Sequence, residues 1–183
     1  THALEAQNYT TPTQIQEKAI PQILNNAALL GIAQTGSGKT AACVLPIVQH
    51  LTNGKLRPSA KGALVLILAP TRELALQIGV FVSAYAKNLP VRHTVILGGV
   101  NQNRQVKALS RGVEILIATP GRLLDLKKQG HVHLNDVEYL VLDEADRMLD
   151  MGFQVTIDDI IADTPTDRQT LLFSATFPDE REG

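Results

Sequence analysis

The sequence predicts an open α/β fold, a parallel sheet with helices on both of its faces. Three observations carry that expectation. Six short apolar runs are nearly continuous in Val, Ile and Leu, as strands buried on both faces require. Segments of helical period lie between them, and the two kinds of segment alternate along one chain with no internal repeat and no interdomain linker. In order, the run 29–33 reads as a strand and 38–50 as a helix, followed by a surface loop over 52–62 that carries Asn53-Gly54 and Pro58. The run 63–69 is the second strand. After Arg72, Leu74, Ile78, Phe81, Val82 and Tyr85 recur at three- and four-residue steps, placing them on one face of a helix. The runs 94–97, 113–118, 139–142 and 170–173 supply the remaining strands, and 103–109, 120–128 and 155–162 the remaining helices. Sites on such sheets gather at the carboxyl ends of the strands.

The 183 residues match one domain of ordinary size, here taken as 1–183. With 44% hydrophobic and 19% charged residues the chain can bury a core, which excludes a mainly disordered protein. No apolar run approaches the ~18 residues needed to cross a bilayer, so no membrane partner is expected. The 17 basic and 18 acidic residues exclude a polycationic nucleic-acid coat while leaving room for a local phosphate-binding face. Cys43 is the single cysteine, expected as a buried small hydrophobe, and it points to a reducing, cytoplasmic setting. A start at Thr1 reads as a piece of a longer protein.

The first strand runs into AQTGSGKT, residues 33–40. Gly36 and Gly38 let the backbone turn tightly so that several N–H groups face one anion, with Thr35 and Ser37 in the same cradle. The following helix adds its positive end. Lys39 can reach the outer phosphates of a nucleotide, and the Thr40 hydroxyl can ligate Mg²⁺. Further on, the run 139–142 leads into Asp143-Glu144-Ala145-Asp146. A carboxylate at the tip of a buried strand can hold Mg²⁺, which falls to Asp143; the next can orient or deprotonate an attacking water, which falls to Glu144. Lys39, Asp143 and Glu144 are therefore the candidate catalytic residues.

Residues 143–146 spell DEAD, and together with AQTGSGKT they resemble the first RecA-like domain of DEAD-box ATP-dependent RNA helicases. The resemblance extends in order over the whole chain. YTTPTQIQ (9–16) is similar to the family's adenine-reading element, which implies nucleotide binding by Tyr9, Thr11 and Gln16. APTRELA, the glycine pair and TPGR resemble its RNA-contacting elements, which implies RNA-backbone contacts from Pro70, Thr71, Arg72, Gly98, Gly99, Thr119, Pro120, Gly121 and Arg122. SAT resembles the element coupling nucleotide state to RNA, implying that role for Ser174 and Thr176 with Asp146.

A glutamine amide suits the edge of adenine because it offers a donor and an acceptor together. Phosphate and sugar contacts position a nucleic acid without reading its bases, so little sequence preference is expected. Arg72 and Arg122 could equally be solvated or paired with Glu73 or Asp125. The family has a second RecA-like domain, which the resemblance implies as a partner along with RNA and ATP-Mg²⁺. The activity so implied is RNA-dependent ATP hydrolysis coupled to local duplex unwinding, with weak turnover by the first domain alone. An ATP-gated RNA clamp and another phosphate-loop NTPase remain alternatives. His131, His133 and Asp136 are read as ordinary surface residues rather than a metal site.

Overall fold

Every apolar run forms a strand, with ends that shift by at most one residue. The computed structural model describes the backbone of residues 28–34 and 37–174 and the side chains of 38–173. The elements are β1 (Ala28–Gln34), α1 (Ser37–Asn53), β2 (Ala63–Leu68), α2 (Arg72–Tyr85), β3 (His93–Ile96), α3 (Asn103–Leu109), β4 (Val113–Ala118), α4 (Pro120–Lys128), β5 (Tyr139–Leu142), α5 (Ala145–Asp150), α6 (Gln154–Ala162) and β6 (Gln169–Ser174). The strands form one six-stranded sheet in the order β1-β6-β5-β2-β4-β3. Every neighbouring pair is parallel.

Alternate residues of β2 to β6 feed two cores. On one face Val65, Ile67, Ile117, Val141 and Phe173 pack with Val44 and Val48 of α1 and Ile78 and Val82 of α2. On the other, Leu66, Leu68, Leu116, Leu142 and Leu172 pack with Leu123 of α4, Met148 of α5 and Ile157 and Ile160 of α6. Burial on both faces is why the strands carry no polar alternation.

Three local expectations need correction. On α2, Leu74, Ile78 and Val82 are buried, but Phe81 and Tyr85 are 39% and 47% exposed. They lie on the flank of the stripe, where their rings meet each other at 6.1 Å between centroids. Phe81 also rests against the start of α1, where a Cβ on Gly38 would lie 3.4 Å from its ring. Cys43 is only half-buried; burial pushes its thiol pKa up, and the nearby Lys39 charge partly opposes this.

The stretch 52–62 is not wholly a surface loop. The first helix continues through Asn53, Pro58 and Gly62 are buried, and Ser59 ties the loop to the segment before β5. The Ser59 backbone N–H and hydroxyl both donate to Asp136 Oδ2, at 2.8 and 2.6 Å. His133 Nδ1 accepts from the Asn135 N–H, so its proton sits on Nε2, 2.9 Å from Ser59 Oγ and 3.1 Å from the Ala60 carbonyl. Burial works against the Asp136 charge, but the Ser59 hydrogen bonds and the neighbouring His133 outweigh it and hold the carboxyl below its ordinary range. His133 and Asp136 are thus half-buried structural ties at the amino ends of β2 and β5. Buried Glu114 is held in the same manner at the amino end of β4, accepting from the Arg92 backbone and guanidinium at 2.7 to 3.2 Å.

Candidate functional site

The strand order sorts the candidate residues along the carboxyl edge. In a parallel sheet all strands end on one edge, and each of the six continues there into a candidate segment: β1 into residues 35–40, β6 toward 174–176, β5 into 143–146, β2 into 69–72, β4 into 119–122 and β3 into 97–99. The nucleotide candidates occupy the half of the edge made by β1, β6 and β5. The RNA candidates occupy the half made by β2, β4 and β3.

In the first half, only two residues separate the end of β1 from the start of α1, the strand–turn–helix setting that a phosphate cradle requires. Lys39 is exposed in the first turn of α1, whereas Thr40 is fully buried. The Thr40 hydroxyl donates to Asp143 Oδ2 at 2.9 Å across 103 residues of sequence, joining the start of α1 to the tip of β5. Asp143 is itself fully buried, and its backbone N–H donates to the Leu68 carbonyl at 2.9 Å. Two hard oxygens side by side, one at a helix start and one at a buried strand end, suit a hard divalent cation.

Glu144 follows in the left-handed region, at φ 50° and ψ 50°. For a residue with a Cβ this conformation costs about 1–2 kcal/mol, and such strain persists where the surroundings fix it. It turns the chain sharply between β5 and α5. The Glu144 carboxylate accepts from Arg147 Nη1 at 3.3 Å, one helical turn on. Asp146 is buried in the first turn of α5. Tyr9, Thr11, Gln16, Thr35, Gly36 and Thr176 lie outside the described residues, as do the side chains of Ser37 and Ser174.

In the second half, Pro70 and Pro120 are buried while Arg72, Gly99 and Gly121 are exposed. Thr71 is the N-cap of α2, and its hydroxyl accepts from the Leu74 N–H at 3.2 Å. Thr119 is the N-cap of α4 with Pro120 behind it, and its hydroxyl makes no capping bond. Arg72 is exposed, as the solvated alternative has it, with Nη1 donating to the Gly98 carbonyl at 3.4 Å, whereas Arg122 donates to Gln105 Oε1 and to the Val100 carbonyl, each at 3.0 Å. Both guanidinium groups are thereby stapled to the loop after β3. Gly99 in that loop has φ +79°, and a Cβ there would lie 2.2 Å from Arg72 Nη1. Around Gly121 a Cβ would meet nothing within 4 Å, so the start of α4 is open to close approach.

A family model for the DEAD/DEAH box helicases matches residues 13–182. The chain belongs to that family. It is 50% identical over 177 residues to the ATP-dependent RNA helicase DBP2 of Pyricularia oryzae, covering 97% of this chain and 32% of that protein. It is 49% identical over 177 residues to the ATP-dependent RNA helicase dbp2 of Emericella nidulans, covering 97% of this chain and 31% of that protein. The chain thus spans about a third of the length of the curated relatives it matches. The six-stranded parallel sheet is the RecA-like α/β fold of a DEAD/DEAH box domain.

Within this DEAD/DEAH box domain, motif reading missed three polar residues that hold the candidates. Gln105 on α3 is buried, with Nε2 donating to the Leu97 carbonyl at 3.1 Å and Oε1 accepting from Arg122. Its signal was a polar residue four before buried Leu109, on the core-facing side of a short amphipathic helix. Gln102 and Gln129 exchange amide hydrogen bonds at 2.9 and 3.2 Å, joining the start of α3 to the end of α4. Those two carry no sequence signal, since each alone is an ordinary polar residue next to a helix end.

Proposed function

We propose that this chain is the nucleotide- and RNA-binding first half of an ATP-dependent RNA helicase, acting with a second RecA-like domain. The observation that carries the reading is the sorting of nucleotide candidates and RNA candidates onto adjoining halves of one sheet edge, meeting where β5 lies beside β2. Names of the relatives, which specify ATP dependence and RNA, support the same assignment.

In this reading the cradle over 35–40 binds the phosphates of ATP, with Lys39 placing its charge against the outer ones and Tyr9, Thr11 and Gln16 engaging the base. Thr40 and Asp143 are the residues that would hold Mg²⁺. Bound there, the ion neutralises charge on the phosphate oxygens. Glu144, fixed by its left-handed backbone, orients the attacking water and accepts its proton. Asp146, Ser174 and Thr176 link the state of the nucleotide to the RNA half. Pro70, Thr71, Arg72, Gly98, Gly99, Thr119, Pro120, Gly121 and Arg122 border the path of the RNA backbone, with helix starts at α2 and α4 offering N–H groups to phosphate. A second domain closing over this edge completes the ATP site, and closure strains one RNA strand so that a short duplex separates.

The test is RNA-stimulated ATP turnover by the full-length protein beside its Glu144→Gln variant. Strong stimulation in the parent, reduced by about 10²–10⁴-fold in the variant with ATP still bound, is the expected result. ATP binding without stimulated turnover in the parent points instead to an RNA clamp.

A further inference from the structure

The residues that hold Arg122 set it apart from a mobile surface cation. Its guanidinium is planar, and two acceptors on different elements fix that plane: Gln105 Oε1 on α3 and the Val100 carbonyl in the loop after β3, both at 3.0 Å. Gln105 is 8% exposed and uses both ends of its amide, since Nε2 donates to the Leu97 carbonyl at 3.1 Å. That carbonyl belongs to the residue just before Gly98-Gly99. One buried side chain therefore bridges the loop after β3 and the start of α4, the two segments at the outer end of the RNA half.

Further contacts hold α3 in place. Leu109 on α3 is fully buried, and the reciprocal Gln102–Gln129 amide pair locks α3 to the far end of α4. Arg122 spends two donors on this arrangement, leaving the rest of its fork for a phosphate. The amide supplies a neutral donor and a neutral acceptor on one short group. Methionine at this position fills a similar volume but can neither hold the arginine nor satisfy the Leu97 carbonyl. Glutamate keeps the acceptor for Arg122 and loses the donor.

We infer that Gln105 is a positioning residue for RNA binding, orienting Arg122 toward the phosphate path, an inference that rests on the RNA reading above. The experiment measures the RNA concentration giving half-maximal ATP turnover in the full-length protein for Gln105→Met, Gln105→Glu, Arg122→Ala and the Gln105→Met/Arg122→Ala double variant, with the KM for ATP as the internal control. Loss of a held charged contact predicts about a 10-fold rise for Gln105→Met, with the KM for ATP unchanged. The double variant should be no worse than Arg122→Ala alone, because Gln105 acts through the arginine. The glutamate variant, which keeps the arginine's acceptor but sets a negative charge beside it, should fall between the parent and Gln105→Met and serves if the methionine variant folds poorly. A Gln105→Met protein with parental RNA dependence while Arg122→Ala is impaired overturns the inference alone. Additive losses in the double variant, or a glutamate variant as impaired as Arg122→Ala, do the same. Parental RNA dependence in Arg122→Ala overturns both this inference and the RNA role proposed for that arginine.

Discussion

The two halves of the carboxyl edge are built in opposite ways. In the nucleotide half three polar groups sit inside the fold, with Lys39 left exposed: Thr40 and Asp143 are fully buried, Asp146 is buried, and one hydrogen bond across 103 residues joins the first two. In the RNA half the groups sit on the rim, and their hydrogen bonds run to loop carbonyls. The difference fits the chemistry proposed for each half. Charges that act on a transferring phosphoryl group work best when preorganised and shielded from water. A surface that follows a nucleic-acid backbone must stay open to it, and its donors need only be aimed. Preorganisation comes from burial in one half and from stapling in the other.

The largest test of that contrast is Lys39→Ala. Removing the charge should weaken ATP binding by about 10–100-fold, the loss of one charge-assisted contact, as read by titration with a fluorescent nucleotide. RNA affinity measured without nucleotide should not change. A parallel fall in RNA affinity would break the division into halves.

Next comes Gly99→Ala, which forces a Cβ into a left-handed residue and toward Arg72 Nη1. Destabilisation of about 1–2 kcal/mol is expected from the backbone strain, the exposed Arg72 guanidinium being free to swing aside, measured by urea unfolding. Gly98→Ala, where a Cβ meets nothing within 4 Å, should leave stability nearly intact. Equal losses at the two glycines would mean that the staple is not what shapes the loop.

A smaller effect separates the two threonines of the RNA half. Thr71→Ala removes a helix cap and should cost about 1 kcal/mol, whereas Thr119→Ala, whose hydroxyl caps nothing, should cost much less while still weakening RNA binding.

Ser59→Ala, at the amino edge, supplies the reference. Because the Asp136 carboxyl is held below its ordinary range, its stabilisation is complete above the ordinary carboxylate pKa and is lost as pH falls through the lowered value. The variant should therefore lose about 1 kcal/mol at neutral pH, and the gap to the parent should close in acid, as thermal melts at several pH values would record. Neither ATP nor RNA affinity should respond.

The strands were legible in the sequence because burial on both faces leaves continuous apolar runs, and those runs fix strand ends closely. Strand order was not legible. Nothing in the run 170–173 says that it lies between the first strand and the fifth, since every run is equally apolar and the pairing is decided by crossovers. Helix α5 escaped notice because it is six residues long and begins in the acidic segment read for its chemistry. Motif residues at the site were legible as a set, and their division into a buried half and a stapled half was not. Phe81 and Gln105 show why: a period identifies the core side of a helix, but the flank that meets another helix and the polar group that spans two loops depend on long-range placement.

The position of β6 also governs how the domain is assembled. Among the described residues β1 pairs only with β6, and β6 is the last strand in the chain. During synthesis, β2, β3, β4 and β5 can associate as soon as they emerge, but β1, which precedes them, meets its described neighbour only when residues 169–174 follow it out of the ribosome. Pairings this far apart in sequence form slowly. A chain cut short before Gln169 would therefore keep β2 to β5, including the Asp143 strand end, and leave β1 and the segment after it unpaired, so the proposed ATP site would be completed only by the last strand described.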